Sequence, residues 1–359
     1  MNYVGTARPI HDAKGKATGY TKYAGDLSLP NMAYLCMLHS KIPHGYVKAV
    51  HAEKALALPG VYGVYHCLNT SDRKYNRYRS NFDQSYLPNE ECAFNDYVRF
   101  VGDKIGVVAA CDQETAERAA RLVEVEYEEL PFSIGFDDTL AGKNCLEGET
   151  PVRDEYTLEV GKKQESTEGL IEVCSTMELP RLHHATMETH ACIADYDPYG
   201  DMLTVYCPNQ AVHGIRTVLA DFLEMPESHV RVVKATMGGS FGAKQEWFLE
   251  PVTALVAKKL CRPVKLVYSR GEAMTDTIVR GAMRMSARGY YTPDGEMKEI
   301  YCDVTLDAGA YIGNAGDYVR ALAGKPTRCY RIPYMHYHGQ VISSNSPVSG
   351  AFRSWSAAE

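Results

Sequence analysis

The chain lacks most of the short patterns that mark metal, nucleotide and secreted proteins. It has 11 cysteines, at positions 36, 67, 92, 111, 145, 174, 192, 207, 261, 302 and 329, yet none stand as a C-x-x-C pair. Tetrahedral zinc and iron–sulfur sites are usually built from such pairs, so neither is expected on this chain. The odd count and the absence of a signal-peptide apolar region after Met1 argue against a disulfide framework. No G-x-G-x-x-G, G-x-x-x-x-G-K-[ST] or H-E-x-x-H occurs, which removes the dinucleotide, P-loop and zincin readings. No apolar run approaches the roughly 20 residues of a membrane helix. An excess of positive charge is missing too: 38 Lys+Arg against 45 Asp+Glu give a formal charge of −7. Nucleic acid and anionic membrane surfaces are therefore not expected as partners. The expectation is a cytoplasmic protein with scattered, reduced thiols.

What is present is an alternation of strand-like and helix-like runs, the mark of a mixed α/β organisation. Residues 1–16 are polar, without periodicity, and read as an arm. Residues 17–130 read as one α/β domain, with strands at Ala33–His39, Val61–Tyr65, Lys104–Ala110 and Val123–Tyr127 and helices near 50–58 and 112–122. Residues 131–168 are weakly patterned and read as a surface connection. Residues 169–359 read as a second domain. In it, Val212, Ile215, Val218, Leu219, Phe222 and Leu223 form one apolar helix face. A strand at 230–234 leads into a glycine-rich loop, and a helix at 247–260 follows.

That loop, Met237-Gly238-Gly239-Ser240-Phe241-Gly242-Ala243-Lys244-Gln245, concentrates three glycines in five residues. Such a loop lets a ligand approach main-chain N–H groups closely, and it also suits a plain tight turn before a helix. Three further stretches draw notice. Cys207-Pro208-Asn209-Gln210 ends a strand and presents an amide. Ser349-Gly350-Ala351-Phe352-Arg353-Ser354-Trp355 sets an arginine among aromatics, suited to an anion or a polarised carbonyl. His183-His184-Ala185-Thr186-Met187-Glu188-Thr189-His190 alternates so that 184, 186, 188 and 190 would share one strand face, as in a polar network or a metal site. Each reads locally as structural as readily as functional.

Taken in order, these stretches resemble the molybdopterin-binding large subunit of the xanthine dehydrogenase (molybdenum hydroxylase) family. Thr18–Leu27, Ser40–Gly45, Leu58–Val61, Val101–Asp103 and Tyr127–Pro131 resemble that family's opening segments. Glu188-Thr189-His190 matches a family Glu-Thr-His. Gly238–Gly242 resembles Gly-Gly-Gly-Phe-Gly, and Gly350–Arg353 resembles the start of Ala-Phe-Arg-Gly-Phe-Gly. The resemblance implies an α+β fold: a hammerhead-like α/β domain followed by the first molybdopterin-binding domain.

It further implies oxidative hydroxylation of an N-heterocycle such as a purine or nicotinate, with an aldehyde or CO dehydrogenase-type member and a non-catalytic subunit as alternatives. The implied cofactor is molybdopterin, as the cytosine dinucleotide, carrying a molybdenum with no protein ligand. Iron–sulfur and FAD modules are expected on partner chains. By position, Gln210, Gly238, Gly239, Ser240, Phe241, Gly242 and Arg353 are cofactor contacts, and Gln245 and Arg353 are the catalytic candidates beside the substrate. Three departures are visible. Ser240 stands where glycine is usual, Arg353 is followed by Ser354-Trp355-Ser356, and the sequence spans about half a family large subunit. The family's general-base glutamate lies in the other half, so the chain reads as one part of a split or truncated catalytic subunit, with that base expected on a second chain.

Overall fold

The computed structural model describes residues 4–78, 87–146 and 148–355. Its main sheet has seven strands, in the spatial order Val230–Lys234, Met202–Cys207, Ala191–Asp197, Val264–Val267, Ala33–His39, Lys104–Ala110 and Val61–His66. The sheet crosses the boundary expected from sequence: Ala33–Leu35 pair in parallel with Val264–Leu266, so the first and second regions share one hydrogen-bonded layer. Lys104–Ala110 is buried at every residue and paired on both edges, which explains its unbroken apolar middle. The following helix, Gln113–Ala120, starts where the Asp112 carboxylate accepts the Thr115 N–H at 2.7 Å, and it buries Ala116 and Ala119.

Two helices complete the core of the second region. Val212–Phe222 turns Ile215, Val218, Leu219 and Phe222 inward, as its periodicity requires. Glu250–Leu260 carries Pro251 in its first turn, where the missing N–H costs no bond, and packs against Ala191–Asp197.

A second sheet of five strands holds Ile171–Leu179, Ala282–Tyr291, Met297–Asp307, Tyr334–Ile342 and Val152–Gly161 in that order. Its last strand lies in the segment 131–168, read from sequence as a connection; Tyr334–Ile342 recruits it by antiparallel pairing. The helix near 50–58 is also shorter than its composition indicates. Gly45–His51 is a strand paired with Glu124–Glu129, and only Glu53–Leu56 is helical. Among the described residues no helix is long and apolar enough to cross a membrane.

One topological feature positions the candidate site. Met202–Cys207 and Val230–Lys234 are parallel neighbours, with Cys207 opposite Lys234. Both strands therefore release their chains at the same end, and Gln210 and the glycine loop emerge side by side. The outlet of carboxyl strand ends is where open α/β sheets collect ligands. The segment after Ile342 returns to this end, where Val279 and Ser349 form a parallel bridge and the Gly350 N–H donates to Val279 O at 2.9 Å.

Candidate functional site around the glycine loop

The loop is shaped by two close approaches that a side chain would block. A Cβ on Gly238 would stand 2.5 Å from Glu188 Cβ. A Cβ on Gly242, whose φ is +104°, would stand 2.2 Å from Ala351 O and 3.1 Å from Phe352 Cα. The loop thus lies directly on the segment that leads to Arg353. Phe241 takes a left-handed φ of 53° and is half-exposed, a costly conformation for an aromatic residue.

Beneath the loop, polar side chains fasten its backbone. The Glu188 carboxylate accepts the Gly238 N–H at 2.7 Å, and Glu188 N donates back to Gly238 O at 3.1 Å. Lys244, 1% exposed in its side chain, pairs with Glu188 Oε2 at 2.6 Å and also donates to Glu188 O at 2.9 Å. Burial holds the Lys244 ammonium below its ordinary range, and Glu188 pulls it back toward the charged form. His190 Nε2 meets Ala243 O at 2.9 Å, and His184 Nε2 meets Ala351 O at 2.8 Å. A carbonyl partner requires Nε2–H in both rings. Burial takes both imidazoles down to about 4, so they are neutral donors near pH 7.

The stretch 183–190 is therefore a loop that clamps both neighbouring segments, and it lacks the single strand face its alternation indicates. His183 is used elsewhere, with Nε2 against Ala273 O and Thr277 Oγ1. Among the described residues, no group of three or more His, Cys, Asp or Glu is placed to hold a metal ion.

Above the loop the polar groups point outward. Ser240 Oγ donates to Gln210 Oε1 at 2.6 Å, and Gln210 N donates to Lys244 O at 2.8 Å. With Oε1 engaged by a hydroxyl, the exposed Gln210 turns its NH₂ free. The N–H groups of Gly239, Ser240, Phe241 and Gly242 donate to no described residue. Gln245 is half-buried, and its side chain bonds to no described residue; Arg353 is exposed and equally unengaged within them. The arrangement presents a run of donors with no acid among them, suited to an electron-rich, oxo-bearing or anionic ligand. Gly238–Gly242 also has the spelling G-x-S-x-G of a hydrolase elbow. The Ser240 hydroxyl meets Gln210 Oε1 and the Lys244 N–H at 3.3 Å, and among the described residues it meets no histidine that could act as its base.

The structure thus brings Gln210, Gly238–Gly242 and the backbone before Arg353 into one surface. The sequence named His184 and His190 as members of a polar network and Lys244 as part of the loop, but not the segments they fasten, and it missed Glu246, below Gly350, altogether. Only the high density of histidine and glutamate at 183–190 pointed toward such a network.

The molybdopterin cofactor-binding domain model matches residues 149–359, and the aldehyde oxidase and xanthine dehydrogenase a/b hammerhead domain model matches residues 18–131. The nicotinate dehydrogenase large molybdopterin subunit of Eubacterium barkeri is 31% identical over 346 residues, covering 95% of this chain and 79% of that protein. The xanthine dehydrogenase molybdenum-binding subunit of Escherichia coli O157:H7 is 29% identical over 357 residues, 96% of this chain but 47% of that protein. Quinoline 2-oxidoreductase from Pseudomonas putida 86 shares the fold with a TM-score of 0.89 at 24% identity, over 98% of this chain and 46% of its own. The chain spans about half the length of the latter two proteins.

Proposed function

The chain belongs to the xanthine dehydrogenase family, among its molybdopterin-binding subunits, and from that premise we propose that it supplies one face of a site for molybdenum-dependent oxidative hydroxylation of an N-heterocycle. The observation that carries the reading is the Ser240–Gln210 hydrogen bond, which closes a set of free donors, the amides of Gly239–Gly242 and the Gln210 NH₂, on one outward surface. When bound, the molybdenum–pterin group supplies the redox step, taking up the electrons released as a ring carbon is hydroxylated with oxygen from water.

The chain's own residues have positioning and electrostatic tasks. Gln210 and the loop amides hold the electron-rich cofactor. Gln245 offers its amide to the substrate. Arg353 stabilises negative charge that develops on the substrate ring, a preorganised donor of the kind that dominates many rate enhancements. The cofactor's cytosine dinucleotide form, the iron–sulfur and FAD modules, and a second chain with the general-base glutamate belong to the same proposal.

A nicotinate dehydrogenase subunit among the relatives favours an N-heterocycle; an aldehyde or CO dehydrogenase-type substrate is the alternative. The test is to purify the native complex, measure its molybdenum and pterin, and assay purines, nicotinate, aldehydes and CO in parallel. Molybdenum, pterin and turnover of a heterocycle support the reading. Turnover of an aldehyde or CO alone would move the substrate class, and a complex with neither metal nor pterin would leave a non-catalytic subunit.

A further inference from the structure

Glu246 follows Gln245 and is 1% exposed, yet its carboxyl makes no hydrogen bond of ordinary geometry to a described residue, the Ala351 amide giving it only a weak pull. Its surroundings show why it is there. The Asn209 side-chain NH₂ donates to Glu246 O at 2.7 Å, while Asn209 Oδ1 accepts the Ala211 N–H at 2.8 Å; the Gln210 segment is thereby pinned to this residue. On its other side, the Glu246 carboxyl lies against Gly350, where an added Cβ would stand 2.5 Å from Oε1 and 2.6 Å from Ile278 Cδ1. Glu246 therefore stands between the two segments that carry Gln210 and Arg353.

Charge does not explain the placement. The cation that acts on it, Arg77, is paired with Glu91 and packed over the rings of Phe248 and Tyr311. Tyr78, beside Arg77, offers a neutral phenol. Glu250, four residues on, turns its carboxylate to Phe248 N at 3.0 Å. From the Ile278–Arg280 segment the only charge is Arg280, which lies over Phe352; from the Gly350 segment there is only the exposed Arg353.

We infer that Glu246 is a positioning residue of the site: its buried carboxyl is the wedge that fixes the Gly350–Arg353 segment against the loop bearing Gln245. The inference rests on the reading that these segments face one site. Burial supports it, raising the carboxyl to about 8 against the weaker pull of Arg77 and the Ala351 amide. Opening the wedge exposes an acid that ionises far more readily in water. Rising pH therefore favours opening until the buried form itself ionises, and the effect then levels off.

Hydrogen exchange on the native complex reads this directly, in peptides covering 237–246 and 347–353. Wild type is compared with Glu246→Gln at each pH, so that the intrinsic rate cancels. The wild-type-to-variant ratio should rise roughly tenfold per pH unit between about 6 and 8 and then flatten. A ratio that does not move with pH overturns the inference. Should Glu246→Gln fail to assemble, wild-type exchange normalised to a peptide over 104–110 must show the same rise, and a flat profile overturns it equally. A complex without molybdenum or pterin that still shows the rise keeps Glu246 as the wedge and removes the cofactor reading; a loaded complex with a flat ratio does the reverse.

Discussion

The two sides of the Met237–Gln245 loop are built to opposite rules. On the lower side, Glu188, Lys244, His184 and His190 are each spent on a backbone group or on each other, in a setting where a missing partner is costly. On the upper side, the Gln210 NH₂, four consecutive amides, Gln245 and Arg353 have donors that bond to no described residue. The contrast separates holding from presenting. The free donors stay where they are because the residues beneath have no other position to take, which is the preorganisation that charge-stabilising sites require.

Substitutions that break the lower side should cost most. Gly242→Ala puts a Cβ 2.2 Å from Ala351 O on a backbone at φ +104°, and should lower stability by about 3 kcal/mol or more in denaturant unfolding of the complex. Lys244→Ala strands the Glu188 carboxylate in a largely buried place and should cost about 3–5 kcal/mol. Lys244→Met with Glu188→Gln should recover a good part of this in a double-mutant cycle.

Glu246→Gln acts with the opposite sign and depends on pH. An acid whose folded-state value lies well above its unfolded one loses stability as pH rises from the ordinary glutamate range to about 8. The neutral variant escapes that loss. It should match wild type near pH 5 and exceed it by about 2–4 kcal/mol at pH 8, read from unfolding midpoints at the two pH values.

On the upper side the costs shrink. Ser240→Ala removes the hydroxyl that orients Gln210 and should cost about 0.5–1.5 kcal/mol, with a larger fall in pterin retention on dialysis. Arg353→Ala should leave stability within about 0.5 kcal/mol while depressing turnover far more than cofactor content. Equal loss of turnover and cofactor would put Arg353 on the holding side.

Much of the frame was legible in the residues. Apolar patterning located Lys104–Ala110, which buries all of itself, and Val212–Phe222, which buries one face, and the β-branched run located Val230–Lys234, of which only Val230 is fully buried. The glycine loop was legible because close backbone approach admits no other residue type. The role of 183–190 was not, since Lys244 meets Glu188 across 56 residues and no local period encodes such a pairing. Val152–Gly161 was missed for a related reason: its partner strand, Tyr334–Ile342, which pairs with it antiparallel, lies far along the chain. Ser240, which departs from the usual glycine, reads as a defect in the sequence and as the link to Gln210 in the structure.

The central claim, that the loop and Gln210 form one face of a molybdopterin site, is tested most directly by the molybdenum and pterin content of the native complex, wild type against Gln210→Ala. Gln210 is exposed and its side chain bonds only Ser240 among the described residues, so its loss should cost about 0.5–1.5 kcal/mol, no more than Ser240→Ala. The account predicts stoichiometric metal and pterin in the wild type and a clear deficit of both in the variant. Equal loading of the two, or a wild-type complex with neither, would contradict it.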